Sequence, residues 1–107
     1  MNLRILSCAE REFAEAVDYY NHERPGLGFE FAAEVKSALD RIAAFPQAWS
    51  MFSTRARRCV VRRFPYGILY QSREQCILIL AIMHLARDPQ SWQDRLKTVT
   101  DQGAGAT

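Results

Sequence analysis

Cysteine is scarce in this sequence, which has only Cys8, Cys59 and Cys76 among its 107 residues. The number is odd, and no pair stands in the Cys-x-x-Cys spacing of a zinc or redox site. A disulfide framework is therefore not indicated, and we expect reduced, partly buried thiols. We also expect no bound metal and no cofactor.

Long apolar runs are missing as well. No stretch approaches the roughly 20 apolar residues that are needed to cross a bilayer, and the segment Met1–Leu6 is shorter than the apolar region of a secretory signal. The sequence has no phosphate-binding loop, nucleophile elbow or His-Glu-x-x-His motif, which argues against the common nucleotide-binding, esterase and zinc-protease classes. We expect a cytoplasmic protein without a membrane partner.

The sequence does contain enough residues for one domain, and their charge is unevenly divided. With 49% hydrophobic residues, we expect a single domain at residues 1–99 and a flexible tail at residues 100–107. Residues 1–50 carry 5 basic and 8 acidic side chains (−3), and residues 51–107 carry 9 and 4 (+5). The basic half predicts a surface for an anionic partner, either nucleic acid or an acidic protein segment, although a solvated sheet face would have the same composition.

The first half of the sequence predicts a strand followed by a helical hairpin. A β-rich run at Leu3–Leu6 precedes Ser7 and Glu10, which have the spacing of a capping box. Apolar residues then recur every three or four positions in two stretches, which a turn rich in proline and glycine separates. Tyr20 falls on the apolar side of the first helix and Tyr19 at its rim.

The second half predicts an antiparallel sheet and a last helix. Residues 46–56 show no period and are predicted as a loop, and a helix with Trp92 as its core anchor is expected to start at Asp88 and Pro89. The last β-rich run is apolar on both faces, as in a central strand that is covered on both sides or that lies next to a partner. The three predicted strands of this half are Arg57–Phe64, Ile68–Gln71 and Cys76–His84. The predicted class is α+β in the order β-α-α-β-β-β-α, with a helical hairpin packed on a small, largely antiparallel sheet.

Two short motifs in this order of elements resemble those of the RelE/ParE toxin superfamily. The first is the run from Arg62 to Tyr70, Arg-Arg-Phe-Pro-Tyr-Gly-Ile-Leu-Tyr, and the second is Ile82–Pro89 followed by Trp92. The second motif is similar to the last strand of ParE-like, plasmid-stabilisation-type members. The resemblance spans about Leu3 to Leu96 and is closer to the ParE branch.

The resemblance implies the toxin half of a type II toxin–antitoxin module. It implies a toxin–antitoxin hetero-oligomer, in which an acidic or amphipathic tail of the antitoxin wraps the toxin. ParE-type members are associated with poisoning DNA gyrase, which we take as the expected target, and the expected mode is protein binding without catalysis. The residues expected to contact the target or the antitoxin are Arg57, Arg58, Arg62, Arg63, Tyr66 and Arg87.

A ribosome-dependent messenger RNA endoribonuclease of the RelE type is the alternative. Ribonucleolytic members carry an arginine at the position where this chain has Gly67, and they use lysines where this chain has arginines, which are poor proton acceptors. The alternative therefore depends on His84 as acid or base, with Arg63 and Arg87 holding the phosphate. A third hypothesis is a folded but inactive member that only pairs with its antitoxin.

Overall fold

The computed structural model describes residues 2–106, with side-chain surroundings for residues 2–97. Within that range the chain forms five strands and three helices. In chain order they are β1 (Asn2–Ile5), α1 (Ser7–Glu23), α2 (Leu27–Ala44), β2 (Ser50–Ser53), β3 (Ala56–Val60), β4 (Tyr66–Arg73), β5 (Cys76–His84) and α3 (Pro89–Ala106).

The strands make one sheet in the order β1-β5-β4-β3-β2. The pair β1–β5 is parallel and the other three pairs are antiparallel, so the predicted α+β class with a largely antiparallel sheet is confirmed. The prediction of a loop over residues 46–56 was wrong for β2, which pairs with β3 at Ser50↔Arg58 and Met51↔Arg57. A four-residue strand is too short to show a recognisable alternation of apolar residues. Its extended conformation depends on pairing with β3, which the local sequence does not reveal.

The strand predicted at Arg57–Phe64 is shorter than expected, because β3 ends at Val60. The Val61 N–H donates to the carbonyl of Tyr66 at 2.9 Å, and the residues between them turn the chain back into β4. Arg63 has a φ of 70°, in the left-handed region that a side chain rarely adopts. Arg62 and Arg63 therefore lie in a turn at the end of the sheet, and they do not lie in a strand.

The helical hairpin forms as predicted, but its first cap does not. Ser7 is already the first residue of α1, and Leu6 is the extended N-cap residue without a side-chain cap bond, so the predicted capping box is absent. The Leu6 N–H instead donates to the carbonyl of Ile79 at 3.1 Å, which carries the strand directly into the helix. The two helices approach closely at Gly28, where an added Cβ would lie 2.2 Å from the carbonyl oxygen of Val17.

The sheet separates two apolar clusters. The hairpin side includes Phe31 and Tyr70, and the α3 side includes Leu80 and Trp92, all with at most 1% exposure. The strand β5 is buried from Ile77 to Met83, which confirms the prediction of a central strand covered on both sides. Trp92 is confirmed as the anchor of α3.

The last helix is longer than expected. It continues to Ala106, so the backbone shows no helix boundary at residue 100, whereas the side chains of residues 98–107 lie outside the described part. The flexibility predicted for residues 100–107 stays a prediction. No helix in residues 2–106 is both long and apolar enough to span a bilayer.

Candidate binding site

The predicted contact residues do not converge on one site. Arg57 lies on the hairpin side of the sheet and Arg58 on the α3 side, because successive residues of a strand point to opposite faces. The remaining four lie near the end of the sheet at which β4 begins and β5 ends, and these are Arg62, Arg63, Tyr66 and Arg87.

Arg63 is held by carboxylates of α2. Its Nη2 lies 2.8 Å from an oxygen of Glu30, and its Nη1 lies 3.6 Å from an oxygen of Glu34. The hydrogen bond from Arg63 lowers the pKa of Glu30, and Glu30 in turn raises the pKa of Arg63. Arg24 pairs with the same Glu30 at 3.2 Å. Arg63 is thus already paired with carboxylates of α2, and 54% of its side-chain surface stays exposed.

Arg58 occupies the space above Gly67. A Cβ added at Gly67 would lie 3.1 and 3.2 Å from two carbons of the Arg58 stem, and 3.0 Å from Leu85. The Arg58 guanidinium lies 5.0 Å from the ring centroid of Trp92 and 5.6 Å from that of Phe52. Glycine at position 67 thus leaves room for an arginine from the neighbouring strand, and two aromatic rings hold that arginine.

His84 and Arg87 line a shallow cleft of about 210 Å³ between α1 and the end of β5. The Ala86 N–H donates to Nδ1 of His84 at 3.0 Å, which leaves Nε2 as the protonated nitrogen of the neutral ring. The His84 ring also packs edge-on against the Tyr66 ring, with 5.4 Å between the two ring centroids. Burial raises the pKa of the Tyr66 hydroxyl. The other lining residues are Glu12, Glu15, Ala16, Tyr19, Tyr66, Ile82 and Met83.

One ion pair closes the edge of β5 beyond the end of β1. Glu12 accepts from the Ile82 N–H at 3.1 Å, and Arg95 donates to the Leu80 carbonyl at 2.9 Å. Arg95 donates two bonds of 2.9 and 3.0 Å to the Glu12 carboxylate, and this hydrogen bonding raises the pKa of Arg95. The pair replaces a strand partner, and no local sequence pattern indicates it, because 83 residues separate its members.

Arginine also accumulates around Trp49, at the end of α2. Arg57 donates to the Trp49 carbonyl at 2.7 Å and to the Gln47 side chain at 3.0 Å. The Arg41 guanidinium lies over the Trp49 ring, 5.6 Å from its centroid. Burial raises the pKa of the Cys59 thiol, against the opposing effect of Arg41 and Arg62. Nothing in the sequence distinguishes Arg41, since one arginine near a helix end is ordinary.

The two neighbouring tyrosines of α1 divide as predicted. Tyr20 packs into the hairpin cluster against Phe31 and Phe64, whereas Tyr19 is 57% exposed. Across the described residues, no group of three or more His, Cys, Asp or Glu side chains is placed to hold a metal ion.

Comparison with known proteins places this fold. The family model described as the ParE toxin of the type II toxin–antitoxin system parDE matches residues 3–89. Among solved structures, a chain of the chromosomal ParDE TA system from P. aeruginosa aligns with a TM-score of 0.64 and 15% sequence identity. The alignment covers 78% of this chain and 95% of that chain, and at this identity it shows the fold alone. No curated protein sequence matches.

Proposed function

Because this chain belongs to the ParE toxin family of type II toxin–antitoxin systems, we propose that it inhibits DNA gyrase through protein contacts and is neutralised by a cognate antitoxin. The toxin acts in the cytoplasm, where gyrase works, and is stored as a toxin–antitoxin hetero-oligomer. A role in plasmid stabilisation is part of the same proposal. The mode of action is binding, without catalysis.

The observation that carries the binding mode is the state of Arg63. In a nuclease, a cation beside the scissile phosphate stabilises the charge that develops there in the transition state. Arg63 instead pairs with Glu30 and Glu34, at 2.8 and 3.6 Å. Gly67 has no side chain to offer, and the arginine that lies above it packs against the rings of Trp92 and Phe52.

One observation favours the ribonuclease alternative. His84 and Arg87 share their cleft with Glu15, so a general acid, a general base and a cation lie within one concavity. Glu12 in the same cleft is committed to Arg95 and Ile82. If the chain is a nuclease, its site is therefore His84, Arg87 and Glu15, without Arg63.

Two assays run side by side test the proposal: supercoiling of relaxed plasmid by purified gyrase, and cleavage of messenger RNA on ribosomes. We expect the chain to inhibit supercoiling and leave the RNA intact, with His84→Ala as active as the wild type. Addition of the antitoxin should restore supercoiling. RNA cleavage that disappears in His84→Ala would overturn the proposal in favour of the nuclease.

A further inference from the structure

The cleft between α1 and the end of β5 offers a partner polar groups at its rim. Its floor consists of apolar residues that are at most 3% exposed, namely Ala16, Ile82 and Met83. The rim consists of residues that solvent reaches, and these are Glu15, Tyr19, Tyr66, His84 and Arg87. The volume of about 210 Å³ is below the roughly 300 Å³ of the smallest pockets for small-molecule ligands, so the cleft suits one side chain of a partner.

One side of this rim is rich in hydrogen-bond donors. The Ala86 N–H occupies Nδ1 of His84, so Nε2 of the neutral ring is left to donate. The Arg87 N–H donates to the His84 carbonyl at 3.0 Å, and this turn keeps the two residues together. The Tyr66 ring packs against the His84 ring, and the nearby Arg87 opposes the rise in the pKa of Tyr66 that burial causes. A guanidinium, an imidazole N–H and a phenol thus lie on the same side of the cleft.

The cation on this side receives no counter-charge from the chain. None of the ion pairs within residues 2–97 involves Arg87. The Glu12 carboxylate also lines the cleft, but it is bound to Arg95 and to the Ile82 N–H. Arg87 is exposed, so a group from another chain can reach it.

A single carboxylate fits these donors better than a nucleic acid strand does. A carboxylate accepts parallel bonds from a guanidinium and has lone pairs left for an imidazole N–H or a phenol. A nucleic acid strand would bring several phosphates to a rim that also carries the exposed carboxylate of Glu15, which repels them. The cleft therefore favours an acidic side chain of a protein.

We propose that this cleft binds a carboxylate side chain from an acidic segment of the antitoxin, with Arg87 as the cation and His84 and Tyr66 as further donors. This inference rests on the proposed function, and it names the part of the toxin that holds the neutralising tail. The antitoxin is the occupant because the proposed function makes gyrase inhibition independent of His84, which belongs to the same rim. Binding would remove water from Arg87, which strengthens the pair beyond that of an exposed one.

The experiment measures the Kd of the purified antitoxin for the wild type, Arg87→Gln and Arg4→Gln. Arg4 is the matched control, because it is exposed, has no ion pair within residues 2–97 and lies beside Leu78, far along β5 from the cleft. Both variants remove one positive charge, so they share any long-range effect on an acidic partner. We expect Arg87→Gln to weaken binding by about tenfold or more and the control by less than about threefold.

Two further measurements separate a contact from a structural role. Tyr66→Phe keeps the ring against His84 and removes the hydroxyl alone, and we expect it to weaken binding by about threefold without changing the melting temperature of the free toxin. Replacing the antitoxin carboxylates one at a time by amides should identify one that couples to Arg87 in a double-mutant cycle.

The outcomes separate the two proposals. Equal affinity of Arg87→Gln and Arg4→Gln would overturn the inference and leave the proposed function intact. A wild-type toxin that does not bind the antitoxin would overturn the proposed function, and the inference with it. Loss of gyrase inhibition in Arg87→Gln with unchanged antitoxin affinity would assign the cleft to the target and overturn the inference. If circular dichroism shows that Arg87→Gln is unfolded, Tyr66→Phe carries the test, and an affinity equal to that of the wild type would overturn it.

Discussion

Arg95 and Arg41 are both partly buried arginines, and their surroundings differ completely. Arg95 joins α3 to α1 through Glu12 and also binds the backbone of β5, so its donors are matched by acceptors. Arg41 lies over Trp49 with two buried nitrogens that have no acceptor among the described residues. The chain thus closes one edge of the sheet with a matched ion pair, whereas at the end of α2 it covers an arginine with an aromatic ring alone. The difference shows that partial burial of an arginine does not by itself identify a structural ion pair.

The largest effect on the free energy of unfolding should come from breaking the ion pair between Glu12 and Arg95. Glu12→Ala removes the carboxylate partner of Arg95 and the acceptor of the Ile82 N–H, and we expect the free energy of unfolding to fall by about 3 kcal/mol. Urea unfolding monitored by circular dichroism measures it. The double variant Glu12→Ala with Arg95→Met should recover part of the loss. A single variant within about 0.5 kcal/mol of the wild type would show that the pair is not structural.

Arg58 is a third case, in which aromatic rings take the place of a carboxylate. Gly67→Ala would push the Arg58 stem and Leu85 apart, and we expect it to lower the free energy of unfolding by about 1–2 kcal/mol. Thermal unfolding measures this, and the same substitution in an Arg58→Ala background should cost less. If the cost is equal in both backgrounds, the contact between the two positions is not what fixes the glycine.

A hydrogen bond from Tyr70, besides those from Arg57, ties the segment that follows α2 to the sheet. The Tyr70 hydroxyl donates to the Pro46 carbonyl at 2.7 Å, and Tyr70→Phe should lower the free energy of unfolding by about 1 kcal/mol. Burial raises the pKa of Tyr70 to about 12 from 10.0. The folded state favours the protonated phenol. The stability that this pKa shift contributes is therefore present below pH 10 and is lost as the pH rises towards 12. Urea unfolding at pH 8 and pH 11 should show a smaller alkaline loss in Tyr70→Phe, and parallel losses would contradict this assignment.

The smallest effect on the free energy of unfolding should come from replacing Arg63, because its ion pairs with Glu30 and Glu34 are exposed to solvent. Arg63→Asn keeps a residue that tolerates the left-handed backbone and removes both ion pairs to α2. Because exposed pairs contribute little, we expect a change within about 0.5 kcal/mol in urea unfolding. A loss as large as that of Glu12→Ala would mean that the Glu30 contact supports the fold.

The sequence predicted the elements that local patterns determine, and it missed those that depend on distant partners. The uninterrupted apolar run of β5 and the periodic helices were predictable, since each follows from the spacing of apolar side chains. The strand β2 was not, because its order comes from β3. The pairing of Arg63 with Glu30 joins residues 33 positions apart, and no local pattern indicates it. The ParE family was recognisable from residues 62–70 and 82–89, but the position of Arg41 over Trp49 was not.

The most direct test of the central claim is a titration of purified gyrase with the toxin, measured as the loss of plasmid supercoiling. A binding inhibitor should reach full inhibition near equimolar amounts of toxin and gyrase, and stoichiometric antitoxin should restore the activity. His84→Ala should give the same titration curve as the wild type. Unimpaired supercoiling at a large excess of toxin, together with RNA cleavage that requires His84, would contradict the account.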